Sequence, residues 1–181
     1  MSNFSFIDDK VLQSNLVLAF NHVVDLTTLS GSKQYSGTEK RPLLGSLRKT
    51  IVIHTASIVE ALLLWRLKKE CSTNKVELAD EWRYFNINVL HKVSESEEII
   101  SGRRKKEKKE LDKLDFVRIT DLCIKYKILS LRSLKSEIDR VRELRNRLHI
   151  GGLAEIEREY SKGDLEFCFS VTRKIIKVVS A

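Results

Sequence analysis

Proline occurs once in this chain of 181 residues, at position 42. With 42% apolar and 32% charged residues beside it, that scarcity describes a soluble helical protein rather than a disordered or sandwich-like one. The three cysteines, Cys71, Cys123 and Cys168, form no CxxC pair and have no histidine close by in sequence, which excludes a local zinc motif. Buried free thiols in a reducing, cytoplasmic setting are expected instead. A P-loop, a GxGxxG fingerprint and an HExxH pair are also missing, so nucleotide hydrolysis and metalloprotease chemistry have no support, and neither a cofactor nor a metal is expected. "MSNFSFIDDKVLQSN" places acids where a signal peptide would carry a basic lead, so no export is expected. The most apolar stretch, "IVIHTASIVEALLLWRL" (Ile51 to Leu67), is slightly short for a membrane span. It also carries His54 and Glu60, and a carboxylate costs about 2.5 to 3.5 kcal/mol in mid-bilayer. A core helix is expected there, and no membrane partner.

What the chain does have is positive charge. The formal net charge of +8 favours polyanionic partners such as nucleic acid. The length fits one domain, 1–181. Apolar residues at three- and four-residue steps predict a first helix from Phe6 to about Leu29, followed by a loop over "SGSKQYSGTEKRP". A second helix is expected from Leu43 or Leu47 to Glu70, covered by others because it is apolar almost all round. "WRYFNINVLHKV" alternates aromatic and β-branched residues before a turn at "SESE", which predicts a short β-hairpin between Trp82 and Ile100. "GRRKKEKKELDK" (Gly102 to Lys113) has no apolar face at its start and reads as a solvated loop leading into a helix. Its sharper reading is a flexible phosphate-binding arm of Arg103, Arg104, Lys105, Lys106, Lys108 and Lys109. A third helix is expected over Phe116 to Leu129 and a fourth, capped by Ser130 or Ser133, through His149 to a stop at Gly151 and Gly152. A last helix is expected behind Asp164 as N-cap. The fold class is therefore all-α, an up-and-down bundle of about five helices with a small hairpin and basic-loop insertion at about 80–113.

The fourth helix carries the chemistry. At about 100° per residue, Leu134, Ile138, Val141, Leu144 and Leu148 form a core-facing stripe. Arg142, Arg145 and His149 form a second stripe beside it, with Asn146 at the margin and Arg147 pointing the other way. Basic residues in the last turn of a helix also simply meet its unpaired carbonyls, which accounts for Arg147 and His149 but less readily for the shared face. Arg145 lies nearest the apolar edge, where a permanently charged guanidinium needs a carboxylate or phosphate partner. Glu60, the one acid inside the apolar second helix, is the candidate. Trp82, Tyr84 and Phe85 can pack in a strand or stack on bases. His22, His54 and His91 are scattered and receive no chemistry.

"VRELRNRLH" on a late helix, with "TASIVEALLLWRL" on a long early one, resembles the HEPN superfamily of small all-helical domains. Its ribonuclease members carry Arg, four to six residues, then His. Arg145 and Asn146 reproduce the family's Arg-Asn pair, but His149 comes one place early for it; Arg142 and His149 enclose six residues and fit the broad spacing. Either arginine can thus fill the family's role. The resemblance implies a metal-independent endoribonuclease acting as a homodimer, often a toxin or phage-defence component with a cognate antitoxin protein as partner. It assigns catalysis to Arg142, Arg145, Asn146 and His149. The alternative is a non-catalytic module of the same fold that holds RNA, a nucleotide or a protein.

Overall fold

The computed structural model describes residues 4–32, 41–73, 81–107, 110–129, 132–147 and 160–180. Among them are five α-helices and one two-stranded antiparallel sheet, so the protein is mostly helical with a hairpin. The chain falls into two compact units, residues 1–67 with 115–181, and residues 68–114.

The helical unit is built around α2 (Arg41–Ser72), whose residues up to Leu67 belong to it. Ile51, Val52, Ala56, Ile58, Val59, Leu62, Leu63 and Leu67 are all buried, on more than one side of the helix, as expected of a helix packed on several neighbours. The span Leu43–Ser72 is long and apolar enough to cross a membrane, and 56% of its most apolar window is buried inside the protein. α1 (Lys10–Ser30) starts at Asp9, whose carboxylate accepts from the amides of Val11 and Leu12. It buries Leu16 and Val23, while Val11, Leu18 and Val24 of the predicted apolar series are exposed. The turn ahead of α1 is pinned to α2: the Trp65 indole N–H donates to Asp8 at 2.9 Å, and Phe6 meets the Trp65 ring edge-on.

α3 (Phe116–Lys125) is capped by Asp115, which accepts from the Arg118 amide at 2.7 Å. It ends earlier than the periodicity predicts, because Lys127 takes a left-handed φ of 57°. α4 (Arg132–Asn146) packs on α3 and on α5 (Lys162–Val179). The predicted cap Ser130 and the glycine stop at 151–152 lie outside the described residues, whereas Ser133, the other predicted cap, falls within α4, which is already helical at Arg132. Asp164 is not the N-cap of α5. Ser161 is, and Asp164 sits at N3 and bonds back to the Ser161 amide, forming a reciprocal capping box. Ser161→Ala is expected to cost about 1 kcal/mol, measured as a lowered denaturation midpoint at unchanged m-value.

In the second unit, β1 (Glu81–Lys92) pairs with β2 (Glu98–Glu107) around a turn in which Val93 and Ser94 donate to the Glu97 carbonyl. The hairpin is longer than predicted, and the correction falls on the basic run. Arg103, Arg104, Lys105 and Lys106 are not a loop but the second half of β2, paired with Phe85, Tyr84, Arg83 and Trp82. Lys108 and Lys109 lie outside the described residues. Pairing to an aromatic strand, rather than a polarity pattern of its own, makes this segment extended. The register slips between Phe85 and Asn88, where Asn86 has a φ of 51°. Gly102 lies against this bulge, where a Cβ would stand 3.4 Å from the Phe85 carbonyl oxygen.

Candidate functional site

On α4, Leu134, Ile138, Val141 and Leu144 are buried, which fixes the rotation of the helix; Leu148 lies outside the described residues. Arg142 and Arg145 then fall beside the core stripe, with side chains 24% and 32% exposed. Both line an open cleft of about 530 Å³ together with Asn146; Ile53 and Glu60 from α2, the α3 cap Asp115, and Phe116 and Val117 from the first turn of α3 also line it.

The structure brings Arg145 and Glu60 together: Nη1 donates to Oε2 at 2.5 Å, and Glu60 is 23% exposed. The guanidinium carbon also stands 6.0 Å from the centre of the Phe116 ring. Glu60, the one acid within the apolar stretch Ile51 to Leu67, therefore holds the arginine in a fixed orientation. A guanidinium has five N–H donors, so donors remain after this bond. Arg142 is held differently, with Nη2 3.5 Å from Asp139 one turn earlier. Asp139 also accepts from Lys135 at 3.0 Å, and Lys135 reaches Asp121 at 3.0 Å. These two hydrogen-bonded carboxylates push the Lys135 pKa up, Asp139 contributing more than Asp121. The Arg142 Nε is buried and has no hydrogen-bond partner among the described residues.

His149 lies outside the described residues. Among the described residues no histidine lines the cleft. His22 and His54 instead meet edge-on at 4.7 Å, and burial, then His22, lowers the His54 pKa. His91 is exposed on β1. Cys71, Cys123 and Cys168 are free thiols, the last two buried; burial and then Asp164 push Cys168 up to about 12. Among the described residues no group of three His, Cys, Asp or Glu side chains is placed to hold a metal ion.

Arg103 to Lys106 belong to the hairpin, in the second unit, and are not among the residues that line the cleft. Asp115, Phe116 and Asp139 are site residues that the helix wheel of α4 could not show by itself. Asp115 had a local signal, an acid immediately ahead of an apolar helix. Asp139 had another, its i,i+3 spacing to Arg142. Comparison with protein-family models, curated proteins and solved structures finds no match for the chain.

Proposed function

We propose that the chain is a HEPN-type endoribonuclease that cuts RNA through attack of a ribose 2′-OH on the adjacent phosphate. The observation that carries this is the pair of arginines lining one open cleft, Arg145 oriented by Glu60 and Arg142 held beside Asp139. In this scheme the His149 imidazole takes the 2′-OH proton as general base. The 2′-oxygen bonds to phosphorus, the bond to the 5′-oxygen breaks, and a second imidazole protonates that leaving oxygen. The products are a 2′,3′-cyclic phosphate and a 5′-hydroxyl. Arg142 and Arg145 stabilise the added charge on the pentacoordinate phosphate without changing protonation themselves. Asn146 orients the phosphate or the imidazole.

One chain supplies one His149, so the second imidazole comes from a homodimer with its α4 helices facing across the cleft, and the helices are taken to form an up-and-down bundle. The setting is cytoplasmic, with α2 a core helix rather than a membrane span. Toxin or phage-defence biology, with an antitoxin protein as partner, goes with this activity.

A non-catalytic RNA-, nucleotide- or protein-binding module is the alternative. It is favoured by one observation, that both cleft guanidiniums already have a carboxylate within reach, Glu60 and Asp139. The two are separated by incubating the purified protein with single-stranded RNA in excess EDTA. Cleavage is expected; a salt-sensitive complex with intact RNA selects the binding module.

A further inference from the structure

The hairpin presents its aromatic residues to solvent. Trp82 is 47% and Tyr84 60% exposed, so these rings are not the packing residues that aromatics in a strand usually are. Directly opposite residues share a face, and the register sets Trp82 against Lys106 and Tyr84 against Arg104. The Arg104 guanidinium lies 4.5 Å from the Trp82 ring centre and the Lys106 ammonium 5.3 Å. On the opposite face Arg83 is engaged by Glu107 at 3.6 Å and by Glu110 at 3.9 Å. The four residues on the Trp82 side include no carboxylate.

From this we infer that the face formed by Trp82, Tyr84, Arg104 and Lys106 binds single-stranded RNA, with successive bases stacked on the two rings and the phosphates held by the two cations. Two residues along a strand are about 6.8 Å apart, which leaves room for one base on each ring. Bases in a duplex are stacked on each other and cannot reach such a platform, so the face selects single strands. The tip of the hairpin takes no part. Glu95, Glu97 and Glu98 cluster there among exposed aliphatic side chains, which repels a phosphate backbone.

This inference rests on RNA being the substrate class, but not on the chemistry of the cleft, and the experiment keeps the two apart. The full chain is titrated with a 2′-O-methyl oligoadenylate of about 12 nucleotides, which 2′-OH chemistry cannot cut. Tryptophan fluorescence is followed. The other tryptophan, Trp65, is buried, so stacked bases are expected to quench Trp82 alone. Trp82→Ala and Tyr84→Ala should each weaken binding by about 5- to 150-fold. Arg104→Ala with Lys106→Ala should reduce the slope of log affinity against log salt by about 1.4, at about 0.7 per phosphate contact. Equal affinity for a duplex, unchanged binding by the aromatic variants, or quenching that grows with protein concentration without RNA would each overturn the inference, the last by showing that a second copy covers the face. Cleavage of an RNA dinucleotide by the parent protein reads the chemistry of the cleft separately. Its absence in the parent protein would count against the cleft, not the hairpin.

Discussion

Replacing His149 by alanine is expected to lower RNA cleavage by about a hundred- to ten-thousand-fold while leaving the helical content and the denaturation midpoint unchanged. The size follows from what general acid–base catalysis contributes, since no other imidazole among the described residues lines the cleft to take over. In the proposed dimer one imidazole acts as base and its mate as acid, so the parent should show a bell-shaped dependence of kcat/KM on pH. Binding of uncleavable RNA should barely change. Cleavage rates of parent and variant on one oligonucleotide, with circular dichroism as the folding control, decide the matter. Unaltered cleavage by the variant removes His149 from the mechanism.

The second large effect is expected at Arg145. Arg145→Ala should lower kcat by about a hundred- to a thousand-fold, the loss seen when one preorganised donor to a transition-state oxyanion is removed. Arg145→Lys should not restore it, because a point charge on a flexible stem cannot keep one donor on Glu60 and aim others at a phosphate. Glu60→Gln tests the positioning role separately. The amide can still accept from Nη1, so kcat should fall less than in Arg145→Ala, with KM for RNA nearly unchanged. Stability gives an independent readout. Arg145→Ala leaves a largely buried carboxylate without its ion-pair partner and should cost about 1 to 3 kcal/mol. Adding Glu60→Gln should recover part of that loss, and the double-mutant cycle measures the coupling. Additive effects would mean that the pair is not energetically coupled.

The Arg145–Glu60 pair could be anticipated because each residue is conspicuous in its own helix: an acid inside an apolar helix and an arginine on the edge of a core stripe both need a partner. The stripe itself, Leu134 through Leu144, follows from the 3.6-residue period. β2 was hidden for the opposite reason. Arg103 to Lys106 have no apolar–polar alternation, and their extended conformation depends on ladder bonds to a strand some twenty residues earlier. The start of α5 was misplaced because Asp164 is a good cap by itself, whereas the Ser161-x-x-Asp164 pair makes it the N3 half of a capping box. Helix periodicity also could not show that α3 stops at Lys125, since Ile128 and Leu129 keep the apolar pattern while Lys127 turns the backbone left-handed. Asp139 and Asp115 enter the site through an ion pair at helix spacing and through a helix cap, and a hydrophobic wheel does not score these.

The most direct test is the chemical nature of the ends left on RNA by the purified protein in EDTA, read by ³¹P NMR on an oligonucleotide of defined sequence. A 2′,3′-cyclic phosphate and a 5′-hydroxyl, produced by the parent and lost together in Arg145→Ala and His149→Ala, are the predicted result. A 5′-phosphate with a 3′-hydroxyl, cyclic ends still formed by both variants, or RNA left intact would contradict it.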